Sequence, residues 1–253
     1  MLCAVDVGNS NIVIGLYSGE QWVARWRVAT VTERTVDEYW MLLRNLFREH
    51  SIEPNEIERA ILSTVVPELY STLHAVLSRF SGAAPLTVSA LLNTGLKFGT
   101  ENPREMGADL LANAVAAYGL YRQSAIIIDF GTALTFTAVD GQGQVRGVSI
   151  APGLKTAMQA LSMNTAQLPH IPLEFPAKYI GTDTIGAIQS GLMYGYAGLI
   201  EHMVSGMQTE LGTKPLVIAT GGMAGTLAPH IPCIDEEAPW LTLDGLRILS
   251  DLN

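Results

Sequence analysis

The chain contains no G-x-x-x-x-G-K-[ST] stretch and no strict G-x-G-x-x-G stretch. Without the first there is no P-loop cradle, and without the second no Rossmann turn, so a nucleotide would have to be held by other backbone geometry. Cysteine is scarce: Cys3 and Cys233, like the five histidines, stand apart without the paired spacing of a zinc site. Buried thiols are expected, with neither disulfide nor zinc. Cationic residues are few, 15 Lys and Arg against 24 Asp and Glu for a formal charge of −9. A nucleic-acid surface needs a concentrated basic face, and the charge balance argues against one. No uncharged apolar run reaches the roughly 18 residues of a membrane span, and the first residues enter a strand pattern without a basic and apolar leader. The expectation is a soluble cytoplasmic protein with no nucleic-acid or membrane partner.

What is present begins with two Asp-x-Gly turns, Asp6-Val7-Gly8-Asn9-Ser10 and Asp129-Phe130-Gly131-Thr132-Ala133, nearly half the chain apart. Each lies between short runs rich in β-branched and apolar residues, over 2–7 and 12–17, then 126–128 and 134–139, so each reads as a hairpin. Taken singly, such a turn is ordinary hairpin chemistry. The pair at half-chain spacing points instead to two related halves, 1–120 and 121–253, facing a nucleotide. Gly8 and Gly131 permit positive φ and close backbone approach, while Asn9, Ser10, Asn11 and Thr132 supply small donors beside exposed N–H groups. Carboxylate and phosphate repel, so Asp6 and Asp129 suit a nucleotide site only with cations between, Mg²⁺ at one and another ion at the other.

The pattern β-β-β-α-β-α is legible in both halves. Strands are expected at 22–29 and 58–64, and helices at 39–50, 67–80 and 103–118. The second half repeats the theme with strands at 125–129, 134–139 and 144–150, a helix at 155–163, a polar loop at 164–183, a long helix at 184–211 and a last strand at 216–219. Gly186, Gly191, Gly195 and Gly198 lie on or near one face of the long helix, a pattern suited to close helix packing. Thr220-Gly221-Gly222 is a third glycine turn, able to lay backbone under a nucleotide. Gly107 gives room beside Asp109, which is either a dipole-stabilising residue early in its helix or a general base for a substrate hydroxyl.

These motifs carry a resemblance. Asp6-Val7-Gly8-Asn9-Ser10-Asn11, Thr35-Val36-Asp37-Glu38-Tyr39, Ser63-Thr64-Val65-Val66-Pro67, Asn102-Pro103-Arg104-Glu105-Met106-Gly107-Ala108-Asp109, Asp129-Phe130-Gly131-Thr132-Ala133, Pro152-Gly153-Leu154, Gly181-Thr182-Asp183-Thr184 and Thr220-Gly221-Gly222 resemble, in order and spacing, the motifs of type III pantothenate kinases. The resemblance implies an α/β fold of two duplicated RNase H-like domains, the actin-like ATPase fold, with a nucleotide cleft between them. It implies a homodimer that phosphorylates pantothenate with ATP to 4'-phosphopantothenate, the first step of coenzyme A biosynthesis. ATP contacts would come from Asp6, Val7, Gly8, Asn9, Ser10, Asn11, Ile12, Val13 and Thr132. The substrate would meet Thr100, Gly107, Ala108, Asp109, Leu110 and Thr184, with Asp109 as proton acceptor. Asp129 would bind a monovalent cation, K⁺ or NH₄⁺, and Asp6 is the candidate Mg²⁺ contact.

Two positions depart from the family pattern: Leu110 stands where the family usually has Arg, and Thr100 where it usually has Tyr. In the family that Arg is expected to pair with the acceptor carboxylate. Losing a charged hydrogen bond costs about 1.5–3 kcal/mol, or about 10- to 150-fold in affinity. Lys97 and Arg104 are the nearby cations in sequence. Two other readings stay open, a kinase of the same fold with an altered acceptor and a non-catalytic nucleotide-binding regulator.

Overall fold

Leu2–Val7 forms β1 because its β-branched and apolar residues suit a central strand buried on both faces. The computed structural model describes residues 1–163 and 171–253. The chain packs as two units, one of Met1–Leu96, Thr100–Leu120 and Leu241–Asn253, the other of Lys97–Gly99 and Tyr121–Trp240.

In the first unit β1 pairs antiparallel with β2 (Asn11–Ser18), which pairs antiparallel with β3 (Gln21–Ala29). Helix α1 (Val36–Glu49) starts at a capping box: Glu38 N–H donates to Thr35 Oγ1, and Thr35 N–H donates to Glu38 Oε2 at 2.8 Å. Strand β4 (Arg59–Thr64) then lies parallel to β1, Pro67 opens α2 (Pro67–Ser81), and β5 (Leu86–Thr87) closes the sheet in the order β3-β2-β1-β4-β5. Helices α1 and α2 cover one face, where Val5, Val7, Ile14, Tyr39, Leu43, Phe47, Leu69 and Leu73 form the core.

The second unit takes β6 (Lys97–Phe98) as the edge of its own sheet. After α3 (Ala108–Tyr121), which belongs to the first unit, come β7 (Ala125–Phe130), β8 (Ala133–Val139) and β9 (Gln144–Pro152). Helices α4 (Leu154–Met163) and α5 (Thr184–Leu211), strand β10 (Leu216–Thr220), the single turn α6 (Ala224–Leu227) and β11 (Glu236–Glu237) complete it. Its sheet runs β11-β10-β7-β8-β9-β6, so β9-β8-β7-β10-β11 repeats the order and strand directions of the first sheet. The first part of the polar loop expected over 164–183 lies outside the described residues.

Helix α7 (Leu241–Leu252) was not legible in the sequence and alters the division at residue 120. It returns to the first unit and packs on β1, β2 and β4 with Leu241, Leu243, Leu246 and Leu249 buried. Gly245 lies so close to the Ala112 carbonyl of α3 that no Cβ would fit, and Thr242 Oγ1 donates to Asn113 Oδ1 at 2.8 Å. On α5 a Cβ at Gly186 would meet Asp183 Oδ1 at 3.5 Å, whereas at Gly191, Gly195 and Gly198 it would meet nothing within 4 Å among the described residues, so the expected close packing is not seen at those three.

Candidate active site

Asp6 lies at the end of β1 with Ser63 of β4 as its register neighbour. Ser63 is fully buried, and its hydroxyl donates to Asp6 Oδ1 at 2.7 Å, which fixes the carboxylate. The turn beyond is tied by Gly8 N–H donating to Asn11 O at 3.0 Å, and Thr30 holds it from β3's end by donating Oγ1–H to Gly8 O at 2.6 Å. Asn9, Ser10 and Asn11 are exposed, while Val7 and Ile12 anchor the turn in the core. Of the two freedoms these glycines offer, neither Gly8 nor Gly131 uses positive φ. Their role is proximity: a Cβ would stand 3.2 Å from Asn11 O at Gly8 and 3.3 Å from Ala133 O at Gly131.

The helix expected from residue 103 starts later. Pro103–Glu105 make one 3₁₀ turn, Met106 is extended at φ −68° and ψ 126°, and α3 begins at Ala108. Asp109 therefore sits in the first turn of α3. A Cβ at Gly107 would come within 2.6 Å of Asp109 Oδ1, so glycine there leaves room for the carboxylate in its present position. Burial pushes the Asp109 carboxyl above its ordinary pKa, and the Leu110 N–H, donating to Oδ1 at 2.8 Å, only partly offsets this. Leu110 is buried at 9% exposure and offers no cation. The Thr100 hydroxyl is buried and finds no partner among the described residues. Thr64 and Val65, immediately after Ser63, join Met106, Gly107 and Ala108 around a cleft of about 470 Å³. The end of β4 thus links the Asp6 turn to the approach to Asp109.

In the second unit Asp129 of β7 has Thr220 of β10 on one side and Thr135 of β8 on the other, three side chains in one register row. Thr220 and Thr135 are buried, and the Thr135 hydroxyl has no partner among the described residues. Gly221, at φ +92°, lies against Asp129, and a Cβ there would come 2.7 Å from Phe130 N. Here the left-handed backbone demands glycine. Gly153 packs on the 131–132 turn and donates its N–H to Thr132 O at 3.0 Å, and Thr156 Oγ1 donates to the same carbonyl at 2.7 Å. The Thr132 side chain is exposed. Thr184 is exposed at the start of α5, capped by Asp183 Oδ1 accepting from Gly186 N–H at 2.8 Å.

The predicted residues fall by unit: Asp6 to Val13, Thr100 and Gly107 to Leu110 belong to the first, and Asp129, Thr132 and Thr184 to the second. Ser63, Thr30 and Thr135 were missed as site residues. Among the described residues no group of three or more His, Cys, Asp and Glu side chains could hold a metal ion by itself.

Comparison with known proteins decides the family. The sequence model described as type III pantothenate kinase matches residues 2–206. The chain belongs to the type III pantothenate kinase family. Within that family, the Moorella thermoacetica enzyme named type III pantothenate kinase is 43% identical over 253 residues, covering 100% of both chains. One from Dehalococcoides mccartyi is 44% identical over 252 residues, covering 100% of this chain and 98% of its own. Among solved structures, component A of the Acidaminococcus fermentans (R)-2-hydroxyglutaryl-CoA dehydratase aligns with TM-score 0.58 at 14% identity over 99% of this chain and 96% of its own. MreB 5 of Spiroplasma citri, bound to AMPPNP, aligns with TM-score 0.55 at 11% identity over the same shares. At such identities the likeness concerns the fold alone, which is the two-domain actin-like fold. The family match makes the chain a kinase.

Proposed function

We propose that this chain transfers the γ-phosphoryl group of ATP to the primary hydroxyl of pantothenate, giving 4'-phosphopantothenate for coenzyme A biosynthesis. The observation that carries the reading is the Asp109 carboxylate, raised in pKa by burial and accommodated by Gly107 in a member of this kinase family. A carboxylate with raised pKa is a stronger base than an ordinary Asp, suited to take the hydroxyl proton as the oxygen attacks phosphorus. The remaining work is positioning and charge neutralisation. Backbone N–H groups and small side chains of residues 8–11 would hold phosphate oxygens, and Asp6, kept in place by Ser63, would contact Mg²⁺. That ion is ordinarily bound by one or two carboxylates plus the phosphates, so a single protein carboxylate is enough. Mg²⁺ would neutralise charge on the β- and γ-phosphates. Thr132 would meet ATP and Thr184 the acceptor.

Asp129 would hold a monovalent cation, K⁺ or NH₄⁺. The unpartnered Thr135 hydroxyl beside it supports this, because carboxylate and hydroxyl oxygens suit a hard cation. Assembly as a homodimer is part of the proposal, and the α5 glycines Gly191, Gly195 and Gly198, which no described residue covers, support a helix contact between copies. With ATP as donor the expected compartment is the cytoplasm; among the described residues no helix is long and apolar enough to cross a membrane.

The test is a pantothenate titration of ADP release with and without K⁺. Saturable, K⁺-stimulated release is expected, and no release at any pantothenate concentration overturns the reading. A second reading, an altered acceptor, draws on the burial of Leu110 and the departure at Thr100. Efficient turnover of an uncharged hydroxyl compound, with pantothenate ignored, would favour it. ATP binding without turnover on any acceptor would instead mark a regulator.

A further inference from the structure

The acceptor in the proposed reaction carries a carboxylate, and the residue following the base has no charge to meet it. Leu110 is buried and uncharged. The cleft beside Gly107 supplies a cation instead. Arg104 is the one charged side chain among those lining its roughly 470 Å³, a volume within the range of small-molecule sites.

Arg104 is exposed and makes no ion pair or hydrogen bond with any described residue. Its acidic neighbour is engaged elsewhere, since Asn102 Nδ2–H donates to Glu105 Oε1 at 2.7 Å. Arg104 is carried on a 3₁₀ turn that Pro103 opens and that Met106 N–H closes by donating to Pro103 O at 3.3 Å. The stem of the side chain therefore starts from a defined place. Val65, Val88, Leu91 and Met106 give the same cleft apolar wall for the branched hydrocarbon of the acceptor, and the Thr64 and Ser89 side chains bring hydroxyls suited to its amide.

We propose that Arg104 binds the carboxylate of pantothenate and is the residue that makes this chain select an anionic acceptor. The guanidinium fork matches a carboxylate in bidentate geometry. The proposal rests on the function proposed above.

The experiment compares the wild type with Arg104→Ala and Arg104→Lys on two acceptors, pantothenate and its uncharged alcohol, in which a hydroxymethyl group replaces the carboxylate. Arg104→Ala is expected to raise the pantothenate KM by about 10- to 150-fold. The kcat and the ATP KM stay near wild type, the mark of binding lost equally from ground and transition states. The KM for the alcohol should not change. Arg104→Lys should recover part of the pantothenate KM, keeping the charge without the fork. Circular dichroism and thermal unfolding should be unchanged, because the side chain has no partner to lose. An unchanged pantothenate KM in Arg104→Ala, or an equal loss on both acceptors, overturns the assignment while leaving the kinase reading intact. Absence of wild-type pantothenate turnover sinks the kinase reading and this proposal with it.

Discussion

The two Asp-Gly turns sit at equivalent places in two sheets of the same strand order, yet their surroundings differ position by position. Asp6 pairs with Val13 and Ser63, where Asp129 pairs with Thr135 and Thr220. The first carboxylate thus has a hydroxyl on one side, donated to it, and a hydrocarbon on the other. The second stands in a row of two hydroxyls, one of them without a partner. The residue after the β4 hydroxyl is Thr64, which lines the cleft beside Gly107, and the residue after the β10 hydroxyl is Gly221, held in a left-handed conformation. Two like frames thus carry different residues at matched register positions, with a cleft beside one and an oxygen row in the other.

The sharpest asymmetry is Asp109, and replacing it should have the largest effect. Asp109→Asn should lower kcat by about 10²–10⁴-fold with ATP affinity retained, measured by ADP release and calorimetry. Its stability should move the other way. The folded-state pKa of Asp109 is raised, so ionisation opposes folding: the wild type is relatively favoured below the ordinary Asp range and loses that advantage as pH rises through the folded value. Asn does not titrate, so the variant should melt higher than wild type at pH 7 and the gap should close on acidification. By the same sign, wild-type kcat/KM should fall as pH drops through that raised pKa.

Next comes a contrast between glycines. Gly221→Ala should destabilise the protein by about 1–3 kcal/mol, because positive φ and contact with Asp129 and Phe130 both oppose a Cβ. Gly8→Ala, with no positive φ, should melt close to wild type. Equal losses for the two would remove the distinction between a strained turn and a merely tight one. Ser63→Ala should leave Asp6 without its buried donor, about 1–3 kcal/mol of interaction, read as a higher KM for Mg·ATP. An unaltered KM would show that Asp6 needs no orientation.

The smallest change should come from Thr135→Val. Removing an unpartnered buried hydroxyl should leave the melting temperature unchanged or raise it slightly in cation-free buffer, by about 1 kcal/mol at most. In K⁺ the variant should lose the thermal stabilisation that the wild type gains. If both proteins respond to K⁺ alike, Thr135 is no cation ligand.

How much of this was legible in the sequence depended on range. The hairpins and the bounds of α5 follow from local pattern, and the structure has each. Ser63 and Thr135 were hidden because their meaning lies in strand register. Ser63 meets Asp6 only through a parallel pairing with a distant segment. The expected helix at 103–118 ran through Met106 and Gly107 because its apolar spacing continues there, while the extended backbone at Met106 interrupts it. Helix α7 escaped notice because Gly245 weakens its pattern, and the reason for that glycine is an α3 backbone far away in sequence.

That helix also orders events during synthesis. Strands β1 and β4 leave the ribosome early, but the α7 side chains that pack on them lie in residues 241–253 and emerge late. The usual sequence, in which the N-terminal domain is finished first, is therefore suspended here. The nascent first unit carries an uncovered apolar face throughout translation of the second. A truncation that removes α7 would leave the Asp6 turn on a sheet that never completes its packing, and such a product is the natural substrate of chaperones and proteases.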